Sequence, residues 1–568
     1  MRSFCLIGIL FFFLLTGQTT EAQSFSDSLN AQTQLSQRGE VYFRFPVQII
    51  ENQPVVFEFI SRFISIDAKK GGFIYAYANA TGFRRFLEYG IHHEVLTPPS
   101  LLLHTRPWTV SNLKSTNDWN YYPTYPQYVT LMQQFASNYP QLCALDTIGT
   151  TTDGRLLLFA HIRSSKSLPK ERPSFMYTST IHGDETVGYV LMLRLIDYLL
   201  KNYGVDPTVT DLVDSLDIWI NPLANPDGTY ASGDASVSGA TRYNANGVDL
   251  NRNFPDPALG DHPDGHSWQP ETKAFMKLAE QHQFVVSANL HTGSEVVNYP
   301  WDTWQRRTAD DDWWQLVSRQ YADTVHTYNS SGYLTNLDNG ISDGYDWYRI
   351  TGGRQDYMNY YRHDREFTLE LSAVKMPDPV EMPGFWNSNY RSLLNYMRQA
   401  LYGFRGEVTD SLSGKPLYAR VFILAHDVDN SDVYSDSVSG CYFRPVKGGT
   451  YDVTYSADGY VTKTYSGLVA RDGHLTVQNV ALKPDVNWIT GHEKNKPFIY
   501  PNPSRGKITL KGITGMSTIK LYSLSGVLIL SKNIMEDHSM DLSGLPRGTY
   551  IMIIENEGTQ RIQKVVLY

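Results

Sequence analysis

Phe175-Met-Tyr-Thr-Ser-Thr-Ile-His182-Gly-Asp-Glu185 is a β-rich run that ends on an imidazole, turns at a glycine and closes on a carboxylate. The residues that follow, Thr186 to Leu200, carry the apolar spacing of an amphipathic helix. The pattern predicts a strand with His182 at its C-terminal end and Glu185 in the first turn of the next helix. Both then reach one ion across a tight turn. Read this way, they are two of three ligands of an open zinc site. The alternative is structural, a histidine satisfied at a strand end beside an acid favoured by the helix dipole.

A chain of 568 residues is too long for one core and implies about three or four domains. With 42% hydrophobic and 19% charged residues it is globular rather than disordered, and its 38 tyrosines fit β-rich parts. A net charge of −9 spread over this length offers no basic stripe, so no nucleic-acid role is expected. Residues 1–22 read as a signal peptide: Arg2, an apolar run from Phe4 to Leu15, then a polar end. No later run is apolar and long enough to span a bilayer, so the expectation is an exported, soluble protein. Of three cysteines, Cys5 falls in the leader, and Cys143 and Cys441 fall in what read as different domains. A disulfide framework is therefore not expected.

Residues 23–115 read as a small α+β N-terminal domain. Glu40 to Phe45 is extended, Val55 to Ile66 helical, Gly72 to Ala78 extended, Phe83 to Tyr89 helical, and His92 to Leu96 extended. It is either a pro-segment covering a cleft or a plain accessory domain. A Pro- and Ser-containing linker occupies 97–118. From 116 to 401 helices and strands alternate, which predicts an α/β domain with a mixed, mostly parallel sheet. Its first helix is Tyr128 to Tyr139, and its candidate strands are Phe159 to Arg163, Ser174 to His182, Leu216 to Pro222 and Val285 to His291. Residues 402–484 show short alternating strands between Gly/Asp/Ser turns and predict a small antiparallel β-sandwich. A polar linker, 485–497, leads to a second all-β unit at 498–568.

The third zinc ligand is best supplied by His291, which ends Ser287-Ala-Asn-Leu-His at another strand end near the same crevice. His262 and His266 lie in a Gly/Asp/Pro loop and read as solvated. Glu370, in Phe367-Thr-Leu-Glu-Leu, is a charge in an apolar run, where burial without purpose is costly. It is either a general base or half of a structural salt bridge.

These residues, with Thr241-Arg-Tyr-Asn-Ala-Asn-Gly-Val-Asp-Leu-Asn-Arg-Asn-Phe between them, resemble the zinc metallocarboxypeptidases over residues 120–400, in particular the regulatory N/E/D-like subfamily. The resemblance implies one Zn2+ per chain on His182, Glu185 and His291. It implies that Asn251 and Arg252 clamp the substrate's terminal carboxylate, a task suited to a guanidinium fork. Arg242 would stabilise the oxyanion, Asp249 would fix the His182 tautomer, and Tyr348 would close over the bound terminus. Glu370 would be the general base for a water activated by the metal. Asp302 and Gln355 match the pocket that takes a basic side chain, which a buried carboxylate favours over an apolar one. Asp302 could instead be solvated beside Trp301 and Trp304. Two departures stand out: Asp184 occupies a position where some members carry an arginine, and Thr292 one where glycine is usual.

Gly440-Cys-Tyr-Phe-Arg-Pro, Gly449-Thr-Tyr-Asp-Val and Ala457-Asp-Gly-Tyr are similar to the transthyretin-like module that follows the catalytic domain in that subfamily. Tyr500-Pro-Asn-Pro-Ser-Arg-Gly, Leu521-Tyr-Ser-Leu-Ser-Gly and Leu542-Ser-Gly-Leu-Pro-Arg-Gly-Thr-Tyr resemble the C-terminal sorting domain of the type IX secretion system. The expectation is a secreted or surface-anchored zinc carboxypeptidase that releases C-terminal Lys or Arg from peptides and proteins and meets the type IX machinery during export. Two alternatives stay open: an amidase on cell-wall peptides with a basic diaminopimelate end, and a catalytically inactive surface-binding protein.

Overall fold

The computed structural model describes residues 27–103, 119–166, 171–485, 498–513, 515–524, 526–556 and 559–568. The leader and most of both linkers lie outside them. The chain divides into two compact units: one of residues up to 408 with 416–455 and 464–480, the other of 409–415, 456–463 and 481–568.

In the first unit, residues 27–103 form a helix-flanked sheet of β1 (Glu40–Pro46), β2 (Ser65–Lys70), β3 (Phe73–Asn79) and β4 (Glu94–Val95) in the order β2-β3-β1-β4. Helix α1 (Pro54–Ile60) and helix α2 (Ala80–Leu87) complete it, around a core of its own that includes Val41, Phe43, Ile60, Ile66, Ile74 and Phe86. One expectation fails here, because the helix predicted through Ile66 ends at Ile60 and a strand begins at Ser65. Ile60, Phe63 and Ile64 have helical spacing, but beyond them Ser65, Ile66, Asp67 and Ala68 alternate as a strand does.

The large sheet runs β11-β10-β12-β9-β7-β8-β6-β5. Its strands are β5 (Cys143–Thr150), β6 (Leu156–Ile162), β7 (Ser174–Ser179), β8 (Asp217–Asn221), β9 (Phe284–His291), β10 (Ser294–Tyr299), β11 (Ile341–Asp343) and β12 (Glu366–Ser372). The centre, β12-β9-β7-β8, is parallel, and antiparallel pairs flank it. On β7, Phe175 and Tyr177 join one core while Met176 joins the other, the alternation of a strand buried on both faces. Helix α3 (Tyr125–Asn138) opens with a capping box of Thr124 and Gln127. Helix α4 (Val187–Asn202) is buried along most of its length.

After Tyr402 two small sheets follow, one around Gly403–Asp410 and one around Arg420–Ile423. They are not wholly antiparallel as expected, since Gly403–Asp410 pairs in parallel with Leu475–Val477. A buried ion network ties this part to the large sheet, with Asp310 meeting Arg444 at 2.9 Å and Arg365 at 2.8 Å. Cys143 and Cys441 are free and buried. In the second unit, residues 498–568 form a three-stranded and a four-stranded sheet around Leu510, Leu521, Met552 and Val565. Among the described residues no helix is long and apolar enough to cross a membrane.

Candidate metal centre and substrate groove

The chain leaves β7 at Ser179, and Thr180 turns it with a left-handed backbone (φ 63°). That conformation is costly for a β-branched residue, and the surrounding bonds hold it: the Thr180 N–H donates to Leu290 O at 3.3 Å and its hydroxyl to Glu185 O at 3.0 Å. His182 therefore lies three residues beyond the strand and not at its end. Glu185 lies ahead of helix α4, which starts at Val187, so it is a loop residue and not part of the first helical turn. Gly183 packs so closely on the backbone of Gly228 and Thr229 that a Cβ would collide with it.

This turn and the end of β9 converge. His182 Nδ1 is 2.9 Å from Glu185 Oε1, His291 Nδ1 is 2.8 Å from Glu185 Oε2, and the two imidazole nitrogens are 3.1 Å apart. These three are the one group among the described residues whose donor atoms could hold a metal ion together. Four-coordinate zinc, with bonds of about 2.0–2.1 Å, sets its ligand atoms roughly 3.3 Å apart. Two imidazoles and a carboxylate are also a donor set that suits catalytic zinc, so the residues fit the ion. Burial pushes Glu185 up, but the charges of His182, Lys375 and His291 more than offset it and hold the carboxyl well below its usual range. Burial pushes His291 down to about 4, which keeps the ring neutral and able to ligate.

The outer nitrogens are also held. His182 Nε2 is 3.1 Å from Asp249 Oδ1, and His291 Nε2 is 2.8 Å from the carboxamide of Asn289. Sequence reasoning missed Asn289. Its signal was present: two residues before His291 on the same strand, it must share a face with it. Arg242 donates to Asp249 Oδ2 from Nε at 3.1 Å and lies 3.4 Å from Glu185 Oε1. Burial pushes Asp249 up, and Arg242, His182 and Arg252 pull it well below its usual range.

Glu370 stands beside the ligands with one carboxylate oxygen buried and unpartnered. Burial, with the charge of Glu185 next to it, holds its carboxyl well above the usual range. Asn251 accepts the Arg354 N–H at 2.9 Å through its amide oxygen, so the end left to donate is the nitrogen; Arg252 lies next to it in the same groove. Asp302 is buried rather than solvated. It accepts from Asn298 Nδ2 at 3.1 Å and Gln355 Nε2 at 3.2 Å, and burial pushes its carboxyl up to about 7. Gly344 presses on this carboxylate, and any Cβ there would displace it. Tyr348 is half-buried and packs against the core of the N-terminal module. His262 and His266 lie outside the cluster, His262 stacking on Trp268.

A second missed residue is Lys375. Its ammonium lies 3.2 Å from Glu185 and 3.2 Å from Asp184, and 2.8 Å from Asp67 of β2. Burial pushes Lys375 down, but Asp184, Asp67 and Glu185 hold it well above its usual value, hence charged.

Residues 128–392 match the zinc carboxypeptidase family, and residues 498–568 match the secretion system C-terminal sorting domain. Carboxypeptidase M of Mus musculus is 37% identical over 353 residues, covering 58% of this chain and 78% of that protein. The chain belongs to the zinc carboxypeptidase family. Carboxypeptidase D of Rattus norvegicus is 34% identical over 386 residues, 66% of this chain, and the chain spans 28% of that relative's length. A solved carboxypeptidase A from Helicoverpa armigera aligns over 63% of this chain and 97% of its own, at 19% identity and a TM-score of 0.49.

Proposed function

We propose that this family member is a zinc-dependent carboxypeptidase that releases C-terminal Lys or Arg from peptides and proteins. The observation that carries the specificity is the buried Asp302, whose carboxylate is held by Asn298 and Gln355 in the groove that also holds the metal ligands. A guanidinium or ammonium pairs with it, while an apolar side chain leaves the charge buried and unmatched.

One zinc ion on His182, Glu185 and His291 supplies Lewis-acid activation of water and carbonyl. Asp249 accepts from the outer nitrogen of His182 and so sets the tautomer whose inner nitrogen faces the ion, while the Asn289 carboxamide holds the His291 ring in its orientation. Glu370, kept basic by its surroundings, takes the proton from water and returns it to the leaving amine. Arg252 and the Asn251 amide bind the terminal carboxylate and so confine cleavage to the last residue. Arg242 adds positive charge where the carbonyl oxygen becomes anionic, and Tyr348 closes over the terminus.

Two flanking roles complete the reading. The strands from 402 to 484 serve as a transthyretin-like support, and residues 498–568 direct export through the type IX machinery to the medium or the cell surface. The match of that segment to a sorting domain supports the second. The test is release of free arginine from a hippuryl-arginine type substrate. Dependence on zinc is expected, with Asp302→Ala abolishing the preference for Arg over Leu. Equal rates on both termini by the wild type would overturn the specificity.

A further inference from the structure

We infer that Asp356 is a positioning residue for specificity, pinning the main chain of Asp302 to the first turn of the helix Arg354–Arg362. The same turn holds Asn251, so one bracket fixes the distance between the site for the terminal carboxylate and the site for the terminal side chain. This rests on the carboxypeptidase reading of the same groove and deepens it.

Asp302 stands in the loop three residues past the end of β10 (Ser294–Tyr299), where no neighbouring strand takes up its backbone N–H. Asp356 supplies the acceptors. One of its carboxylate oxygens takes the Asp302 N–H at 3.0 Å and the other takes the Thr303 N–H at 2.8 Å, so both are spent on two successive main-chain donors. Asp302 and Thr303 are buried, and without Asp356 these two donors would be orphaned, which is costly enough to move the loop. Gln355, one residue earlier, donates to the Asp302 side chain at 3.2 Å. The Arg354 N–H, one residue earlier again, goes to the Asn251 amide oxygen at 2.9 Å. Three consecutive residues of one turn thus reach the Asp302 main chain, the Asp302 side chain and Asn251.

A terminal residue is gripped at its carboxylate by Asn251 with Arg252 and at its far end by Asp302. The spacing of the two grips is a ruler for side-chain length. Mounting both on a helix makes it more precise than a loop could, and a shift of about 1 Å is enough to cost roughly 10²-fold. Asp356 is 1% exposed, and burial, then the charge of Asp302, hold its carboxyl well above the usual range. A buried acid behind another acid burdens the empty protein, and an entering guanidinium relieves it. What the carboxylate adds in return is two acceptors at a fixed separation. An asparagine of the same shape offers one.

The test compares the full-length zinc-loaded protein as wild type, Asp356→Asn, Asp356→Ala and, as a control on the same helix, Asn359→Ala. Asn359 donates to Gln355 O at 2.9 Å and Glu366 O at 2.8 Å and does not bind Asp302. Two quantities are read: kcat and KM on substrates ending in ornithine, Lys, Arg and Leu, and calorimetric affinity for a phosphinate dipeptide ending in Arg or in Leu. For arginine, kcat/KM is expected to fall on the order of 10²-fold in Asp356→Ala and by less in Asp356→Asn, the change falling on KM, while leucine release stays within about threefold. The preference for arginine over ornithine should flatten in the same order, and Asn359→Ala should keep the wild-type ratios. Asp356→Asn, which keeps the volume and one acceptor, decides alone if Asp356→Ala does not fold. Arginine and leucine falling together in the Asp356 variants, ratios equal to wild type, or the same loss of preference in Asn359→Ala would overturn the inference, and a wild-type preference for arginine would leave the peptidase reading intact. A phosphinate preference for arginine that the Asp356 variants lose, with no hydrolysis by any protein, would support the inference and overturn the peptidase reading. Equal wild-type affinity for both phosphinates would overturn the inference together with the specificity it refines.

Discussion

Glu370 and His291 are direct register partners on the adjacent parallel strands β12 and β9. The sheet therefore sets a carboxylate with an unpartnered, buried oxygen next to a candidate metal ligand, with no loop between them to blur the distance. Sites built on strands hold their geometry better than sites built on loops.

Glu370→Gln keeps the shape of the side chain and removes its ability to take a proton. Turnover should fall by roughly 10²–10⁴-fold, the usual size of a general-base contribution. Zinc content by metal analysis should be unchanged, since Glu370 is not among the three converging donors. A variant with near wild-type turnover would remove Glu370 from the chemistry.

Asn289→Ala should weaken zinc binding by about 10–100-fold while the fold and the three ligands persist, because the carboxamide orients His291 and does not touch the ion. Competition with a fluorescent chelator measures this directly. Unaltered zinc affinity would assign Asn289 to strand packing alone.

Asp302 should impose a pH dependence on specificity. Burial raises its carboxyl to about 7 in the free protein, and only the carboxylate pairs with a guanidinium. The ratio of kcat/KM for C-terminal arginine over uncharged citrulline should rise as pH climbs through about 7 and level off above it. Titration of groups common to both substrates cancels in the ratio. A ratio flat from pH 5 to pH 9 would contradict the assignment, and Asp302→Asn is expected to produce that flat line.

Glu271 should make stability fall with pH. It is buried at the start of helix α5 (Pro270–Gln281), accepts from Asn244 at 3.2 Å, and burial raises its carboxyl from 4.5 to about 7. A raised folded value means the contribution is fully present below pH 4.5 and is lost as pH rises through 7. The total is on the order of 3 kcal/mol. Denaturant titrations of wild type against Glu271→Gln from pH 4 to pH 8 should show the wild type losing that amount relative to the variant. A constant difference across the range would mean that Glu271 keeps its ordinary titration in the fold.

Much of the centre could be read from residue order because its chemistry is local. His182 and Glu185 are three residues apart, and their approach needs one turn, so sequence alone brings them together. The precise elements were less legible. The helix was expected to start at Glu185 and starts at Val187, because Thr180 takes a left-handed conformation that no residue type announces. The start of strand β2, Ser65 and Ile66, reads as the end of a helix, since Ile60, Phe63 and Ile64 satisfy a helical period by coincidence. Asn289 and Lys375 gave no motif to notice: one is an amide in an apolar strand, the other a lysine five residues beyond Glu370.

By itself the sequence determined the inventory: the donor types, the acid in an apolar strand, the guanidinium beside an asparagine, and a domain order readable from changes in periodicity. These follow from side-chain chemistry and local spacing, which need no knowledge of the fold. Only the tertiary structure decided which of them meet. His182 and His291 are 109 residues apart in the chain and 3.1 Å apart in space. Asp67 and Lys375 form a buried pair across two separately cored parts of one unit. Such meetings depend on strand register and on the bulge between Ile66 and Ala68, and no local pattern records either.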